Sequence, residues 1–277
     1  MKRIVSVVIR NLYHLPYGWF RLCKYAKNPD KYSEEERFAL MLEFSNWMVE
    51  GGRISLEVYG GENIPYKNGY MIFPNHQGLF DGFAIANGFE KAFAEQAFTT
   101  VYKKELDSVP FVNKIFASVK AIALDREDAR EGLRVVNRVA DEVRDGRNYL
   151  FFAEGTRSKK RNQSLAFKGG SFKSAVKAKC PILPVALIDS YKVFDSDSTG
   201  KVTVQVHFLK ALEYEEYKDL TTSQIADVVK ASIDETIQKY DRPLVEEIRI
   251  GRKNNFIINI SQTIHKHFFN KQSVKYN

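Results

Sequence analysis

A chain of 277 residues with 44% hydrophobic content can bury a substantial core, which argues against wholesale disorder. Its formal net charge of +8 is unevenly spread: residues 1–29 and 248–277 each hold six Lys or Arg and no acid, leaving 30 of the 42 basic residues against all 34 acids between them. A slightly acidic body with two basic ends argues against a nucleic-acid binder, whose positive stripe crosses the folded domain, and fits ends that meet an anionic membrane surface.

Residues 2–15 read as a basic amphipathic helix, with Ile4, Val5, Val8, Leu12 and Leu15 on one face and Arg3, Ser6, Arg10 and His14 on the other. Pro16 and Gly18 are expected to break it. A second helix starts at Ser33, with Glu36 at capping-box spacing, and runs to Gly51-Gly52. It is apolar nearly all round, so it either packs on the domain or enters lipid. From Ile54 the pattern changes to apolar β-prone runs at 54–59, 70–73, 97–102, 121–124, 148–152, 182–189 and 201–208. Helical stretches at 127–145, 169–178 and 222–240 alternate with them. This predicts an α/β fold: a mostly parallel twisted sheet flanked by helices, with N-terminal amphipathic helices. Only a short turn-rich segment, Asp195 to Gly200, separates the last two runs, so these can pair antiparallel. The expected organisation is membrane-associating helices over 1–53, a catalytic domain over 54–240 and a basic tail over 241–277. Phe256, Ile260, Ile264 and Phe268 give that tail a possible apolar face.

Cys23 and Cys180 stand apart without CxxC spacing, which suits a reducing compartment and gives no zinc site. The N-terminus lacks the small-residue cleavage signal of a secretory leader. No apolar run approaches the ~20 residues that span a bilayer. The expectation is a peripheral protein on the cytoplasmic face of a membrane.

The sharpest chemical signal is Asn75-His76-Gln77-Gly78-Leu79-Phe80-Asp81, which follows the apolar run ending at Phe73. It therefore lies at the C-terminal edge of a strand, where α/β sheets form their active sites. A neutral imidazole there can take a proton from a hydroxyl if an acceptor holds its other nitrogen. A carboxylate five residues on, in the first turn of the next helix, can fold back as that acceptor. No Ser or Cys nucleophile stands beside the pair, so direct attack by a substrate hydroxyl is the simpler scheme. A capping Asn75, a structural His76 and a helix-start Asp81 read equally well. In Phe151-Phe152-Ala153-Glu154-Gly155-Thr156-Arg157-Ser158 an apolar strand ends in polar chemistry. Arg157 offers a planar fork for phosphate, Gly155 lets amides approach, and Glu154 can accept from a polyol hydroxyl. Lys159, Lys160 and Arg161 read as a solvated loop. Lys103 and Arg126, each at a strand end, can complete an anion pocket or form part of a surface salt-bridge cluster.

In this order the segments resemble the glycerolipid acyltransferases, specifically the 1-acylglycerol-3-phosphate acyltransferases (PlsC-like). The NHxxxxD block is Asn75 to Asp81, the second block runs from Lys103-Lys104-Glu105-Leu106 to Asp125-Arg126, and the EGTRS block is Glu154 to Ser158. The fourth resembles Pro181 to Val185, preceded by Phe167-Lys168-Gly169-Gly170, and the whole resemblance spans about residues 54–190. It implies His76 and Asp81 as a catalytic dyad. It also implies Lys103, Arg126 and Arg157 on the glycerol phosphate, with Glu154, Gly155 and Thr156 in the same pocket. The Pro184-Val185 region would lie near the acyl donor or acceptor. The implied reaction moves an acyl group from a thioester of CoA or acyl carrier protein to the sn-2 hydroxyl of lysophosphatidic acid, with no metal or resident cofactor. Gly78 stands where the family commonly has Ser, and Ala153 where it has Pro, which leaves the acceptor open. Glycerol-3-phosphate or another lysophospholipid would use the same dyad, and a catalytically silent membrane-surface protein would keep the shape alone. A metal-dependent phosphohydrolase would need further ligands at strand ends that the sequence does not offer.

Overall fold

A computed structural model describes residues 2–194 and 198–241. The chain forms two compact units, Met1–Ile237 and Gln238–Asn277. The second is described only to Asp241, so the basic tail and its apolar face lie outside the described residues.

The first unit opens with α1 (Lys2–Arg10), α2 (Leu15–Lys27) and α3 (Glu34–Gly51). The capping box at Ser33 forms as its spacing predicts: Glu36 N donates to Ser33 Oγ at 3.2 Å, and Ser33 N donates to the Glu36 carboxylate at 2.7 Å. Pro16 and Gly18 do not end a helix. Asn11 to His14 make the break, and Pro16 sits in the first turn of α2, where its missing N–H costs nothing. Gly18 instead serves packing, since a Cβ there would stand 2.6 Å from the Trp47 ring. The long apolar helix α3 packs on the domain: Phe38 joins the core, and Ser45 Oγ donates to Phe83 O at 2.9 Å.

The α/β body contains seven strands: β1 (Ile54–Tyr59), β2 (Met71–Pro74), β3 (Thr99–Lys103), β4 (Ile122–Leu124), β5 (Tyr149–Leu150), β6 (Ile182–Ile188) and β7 (Val202–Phe208). They form one sheet in the order β1-β7-β6-β2-β5-β3-β4. Every pairing is parallel except β6 with β7, which is antiparallel as their short connection requires. Strand alternation sends side chains to two cores. Met71 and Phe73 point to one face, against α6 (Ala129–Arg144), α7 (Lys173–Ala178) and α9 (Thr222–Tyr240). Ile72, Leu183, Val185 and Leu187 point to the other, against α3 and α4 (Asp81–Lys91). β5 is shorter than its apolar run: Phe151 N still donates to Ile72 O of β2 at 2.9 Å, and beyond it Phe152 turns into the site. Helix α5 (Pro110–Ser118) completes that edge, a helix the sequence pattern did not announce.

The orientation of α1 inverts one expectation. Arg3, placed by the sequence on a solvated polar face, is buried. Its guanidinium donates to Gly52 O at 2.5 Å, Gly200 O at 2.8 Å and Ser198 O at 2.9 Å. Ser6 Oγ donates to Gly51 O at 3.3 Å, and Asn11 Nδ2 to Trp47 O at 3.0 Å. The C-terminus of α3 has carbonyls without intrahelical partners, and a cation there also meets the negative end of the helix dipole. Arg3, Ser6 and Asn11 therefore turn inward, while Lys2 and Arg10 stay exposed. Val5 and Ile9 of α1, Leu12 just beyond it, and Tyr17 and Phe20 of α2 are each more than half exposed, while Ile4 and Val8 line the cavity described below.

Candidate active site

His76 lies in the loop after β2, and Asp81 is the first residue of α4. Their side chains meet, with His76 Nδ1 2.8 Å from Asp81 Oδ2. The carboxylate is fully buried and collects further donors: Gln77 N at 2.6 Å and Gly78 N at 2.9 Å on Oδ2, and Ser190 Oγ at 2.5 Å on Oδ1. A carboxylate so surrounded accepts at every contact, so Nδ1 carries the proton and Nε2 is left as an acceptor. The imidazole stacks on Phe152 with ring centroids 4.0 Å apart, which fixes its plane.

The backbone of His76 is held from both sides by the Glu154 segment. His76 N donates to Glu154 Oε1 at 2.7 Å, Leu165 N donates to Glu154 Oε2 at 2.9 Å, and Ser158 N donates to His76 O at 2.8 Å. Burial holds the Glu154 carboxyl above its ordinary value, even though the two amides work in the opposite direction. Both oxygens of Glu154 are thus committed to the protein. It braces the dyad and is not arranged to receive a polyol hydroxyl, which corrects the role expected for it. Asn75 does not cap a helix: its side-chain amide exchanges hydrogen bonds with the backbone of Leu187 at 2.7 and 3.0 Å, tying β2 to the end of β6.

One cavity of about 1430 Å³ joins the remaining expected residues. His76, Lys103, Arg126, Gly155, Thr156 and Arg157 all line it. Gly155 has φ +75°, and a Cβ there would stand 3.0 Å from Lys168 Nζ and 3.5 Å from Arg126 Nη1, so the turn brings two cations together above a bare backbone. Lys168 is a member of this cluster that the sequence reading passed over. Its signal was present in Phe167-Lys168-Gly169-Gly170, and Lys168 N donates to Ala153 O at 2.9 Å, pinning it beside the Glu154 turn. Lys103 is paired with Glu105 at 2.5 Å and half exposed, so it stands at the rim. The other arm of the cavity is apolar, lined by Met41, Phe44, Trp47 and Met48 of α3, and it reaches Leu15 and Trp19 of α2. Pro184 and Val185 do not line it. They lie within β6, where Val185 is fully buried, so the fourth block supplies core and not substrate contact. A base, a cation cluster and an apolar channel thus share one space, as a phosphorylated molecule with a long hydrocarbon tail requires.

An acyltransferase family pattern matches residues 55–188. The 1-acyl-sn-glycerol-3-phosphate acyltransferase of Borreliella burgdorferi is 31% identical over 71% of this chain and 77% of its own length. The chain belongs to this acyltransferase family. The enzyme of the same name from Salmonella typhimurium is 26% identical over 68% of the chain and 74% of its own length. Among solved structures, the 1-acyl-sn-glycerophosphate acyltransferase PlsC from Thermotoga maritima superposes with a TM-score of 0.60 at 22% identity, covering 83% of this chain and 97% of that one. The α/β fold of the family and its acyl-transfer chemistry therefore extend to this chain.

Proposed function

We propose that this acyltransferase acylates the sn-2 hydroxyl of lysophosphatidic acid at an anionic membrane surface, taking the acyl group from a thioester of CoA or acyl carrier protein. The observation that carries the reading is the shared cavity: an imidazole, a cation cluster suited to a phosphate and an apolar channel suited to acyl chains line one space. The names of the relatives support the same acceptor.

In this scheme His76 Nε2 takes the proton of the acceptor hydroxyl as its oxygen attacks the thioester carbonyl. The C–O bond forms, the C–S bond breaks, and His76 returns the proton to the departing thiolate. Asp81 holds the ring in the Nδ1–H tautomer and stabilises the transient imidazolium. Arg126, Arg157 and Lys168 hold the phosphate, with Gly155 and Thr156 giving backbone access and Lys103 adding charge at the rim.

Among the described residues no helix is long and apolar enough to cross a membrane. The reading is that the enzyme lies on the cytoplasmic face. The outward apolar face of α1 and α2 enters the lipid boundary, while exposed Lys2 and Arg10 meet anionic headgroups. Arg3 is not part of that contact, because it is spent on α3.

The test is a panel of acceptors with one labelled acyl thioester: lysophosphatidic acid, glycerol-3-phosphate, a neutral lysophospholipid and a monoacylglycerol lacking phosphate. Lysophosphatidic acid should give the highest kcat/KM, and loss of phosphate should cost about tenfold or more. Equal use of the monoacylglycerol would overturn the acceptor assignment.

A further inference from the structure

Asp81 Oδ2 is held by three nitrogens from its own segment, whereas Oδ1 is met by a side chain 109 residues away in sequence. Ser190 opens a short 3-10 turn, Ser190–Lys192, immediately after β6. Its side chain is buried and its Oγ lies 2.5 Å from Oδ1. Oδ1 of an ionised carboxylate can only accept, so the hydroxyl must donate. Such a charge-assisted bond is short and strong, and in a buried site nothing from solvent replaces it.

The turn that carries Ser190 is held in place without that hydroxyl. Ser190 N donates to Gln77 Oε1 at 3.0 Å, and Gln77 Nε2 donates to Leu187 O at 2.8 Å and Asn162 Oδ1 at 3.0 Å. Asp189 N donates to Asn162 Oδ1 at 2.8 Å, while Asn162 Nδ2 returns a bond to Asp189 Oδ1 at 3.0 Å. Asp189 takes a left-handed backbone, φ +66°, which swings the chain from β6 toward α4. Gln77 and Asn162 thus fix the backbone, and the hydroxyl is available for a separate task.

We propose that Ser190 is a positioning residue for acyl transfer, acting through Asp81. By holding Oδ1 it stops the carboxylate from rotating about its Cβ–Cγ bond, so that Oδ2 stays on His76 Nδ1. This rests on reading His76 and Asp81 as the working dyad, and the controls separate the two.

Ser190→Ala is compared with wild type, His76→Ala and Asp81→Ala, each checked for folding by circular dichroism and thermal melting. In Ser190→Ala kcat should fall roughly ten- to a hundredfold, the size of a lost bond to a charged group. The apparent KM for lysophosphatidic acid should stay within about twofold, since no phosphate contact is touched. The ring 15N signals of His76, assigned by their loss in His76→Ala, should move. In an Asp81→Ala background, where the hydroxyl has no side chain left to hold, the same change should alter kcat by less than about twofold. The proposal is overturned if His76→Ala is inactive while Ser190→Ala turns over like wild type. It is equally overturned if the Ser190→Ala loss persists undiminished in Asp81→Ala, or falls on KM alone. A Ser190→Ala protein that fails to fold would also sink it, because the turn would then depend on the hydroxyl. An active, folded His76→Ala would instead remove the dyad reading on which it stands.

Discussion

Replacing Asp81 with asparagine separates charge from geometry at the dyad. The side chain is fully buried, and its four donors divide three to Oδ2 and one to Oδ1. An asparagine that keeps its oxygen on the three-donor side still accepts from Gln77 N, Gly78 N and His76 Nδ1. Its NH2 then faces Ser190, whose hydroxyl can turn and accept. Shape, ring orientation and tautomer survive, and only the charge that stabilises the imidazolium is removed. Two unit charges about 4 Å apart interact by about 4 kcal/mol in surroundings of intermediate polarity. The amide dipole recovers part of that, so kcat should fall about 100- to 1,000-fold. Stability should not fall with it. An ionised carboxylate out of water carries a desolvation cost that the amide avoids, so Tm should hold or rise. The assay is initial-rate transfer of a labelled acyl group beside a thermal melt of the same preparation. A variant within about fivefold of wild-type kcat would show that Asp81 only orients the ring. A variant that unfolds would show that its charge is structural.

Three other outcomes follow from the same contacts. Glu154→Gln leaves one amide N–H facing an NH2 in a buried place, at a cost of about 1–3 kcal/mol; Tm should drop by several degrees and kcat should fall, and a variant with both unchanged would mean the carboxylate does not hold His76. Ile9→Glu with Leu12→Glu should abolish flotation with anionic vesicles while leaving the inward face of α1 intact, and undiminished flotation would refute the N-terminal anchor. His207 is packed against Tyr59, and burial pushes it down from 6.5 to about 4 despite the nearby Glu57. Its folded state resists protonation, so stability is unaffected above pH 6.5 and is lost as pH falls from there toward 4. Melting curves of His207→Asn should show a shallower loss of Tm across that window than wild type, and parallel curves would contradict the burial argument.

Much of the site was legible because its parts are local. The dyad partners stand five positions apart, and a strand followed by a helix start brings them together without help from elsewhere. The short apolar run at 70–73 likewise announced a strand, and its residues are buried on both faces of the sheet. What escaped depended on partners far away in the chain. Ser190 and Asp81 carry no shared periodicity, and nothing around Lys168 says that it ends beside Arg126. Glu154 looked like a ligand because a carboxylate at a strand end usually faces the site, whereas here two backbone amides claim it. Arg3 shows a different blindness. A helical wheel separates two faces but does not say which residues go inside, and the free carbonyls closing α3 draw in Arg3 and Ser6 while Arg10 stays exposed. The fourth block had the right place in the sequence and the wrong role, since its apolar residues satisfy a sheet core equally well.

The central claim is that His76 is the base for acyl transfer to a phosphorylated acceptor. Its most direct measurement is single-turnover formation of labelled phosphatidic acid from lysophosphatidic acid and an acyl thioester, by wild type and by His76→Ala of matched fold and vesicle binding. The account predicts product from wild type and a rate about 100- to 10,000-fold lower from the variant. A folded, membrane-bound His76→Ala enzyme that turns over at the wild-type rate would contradict it.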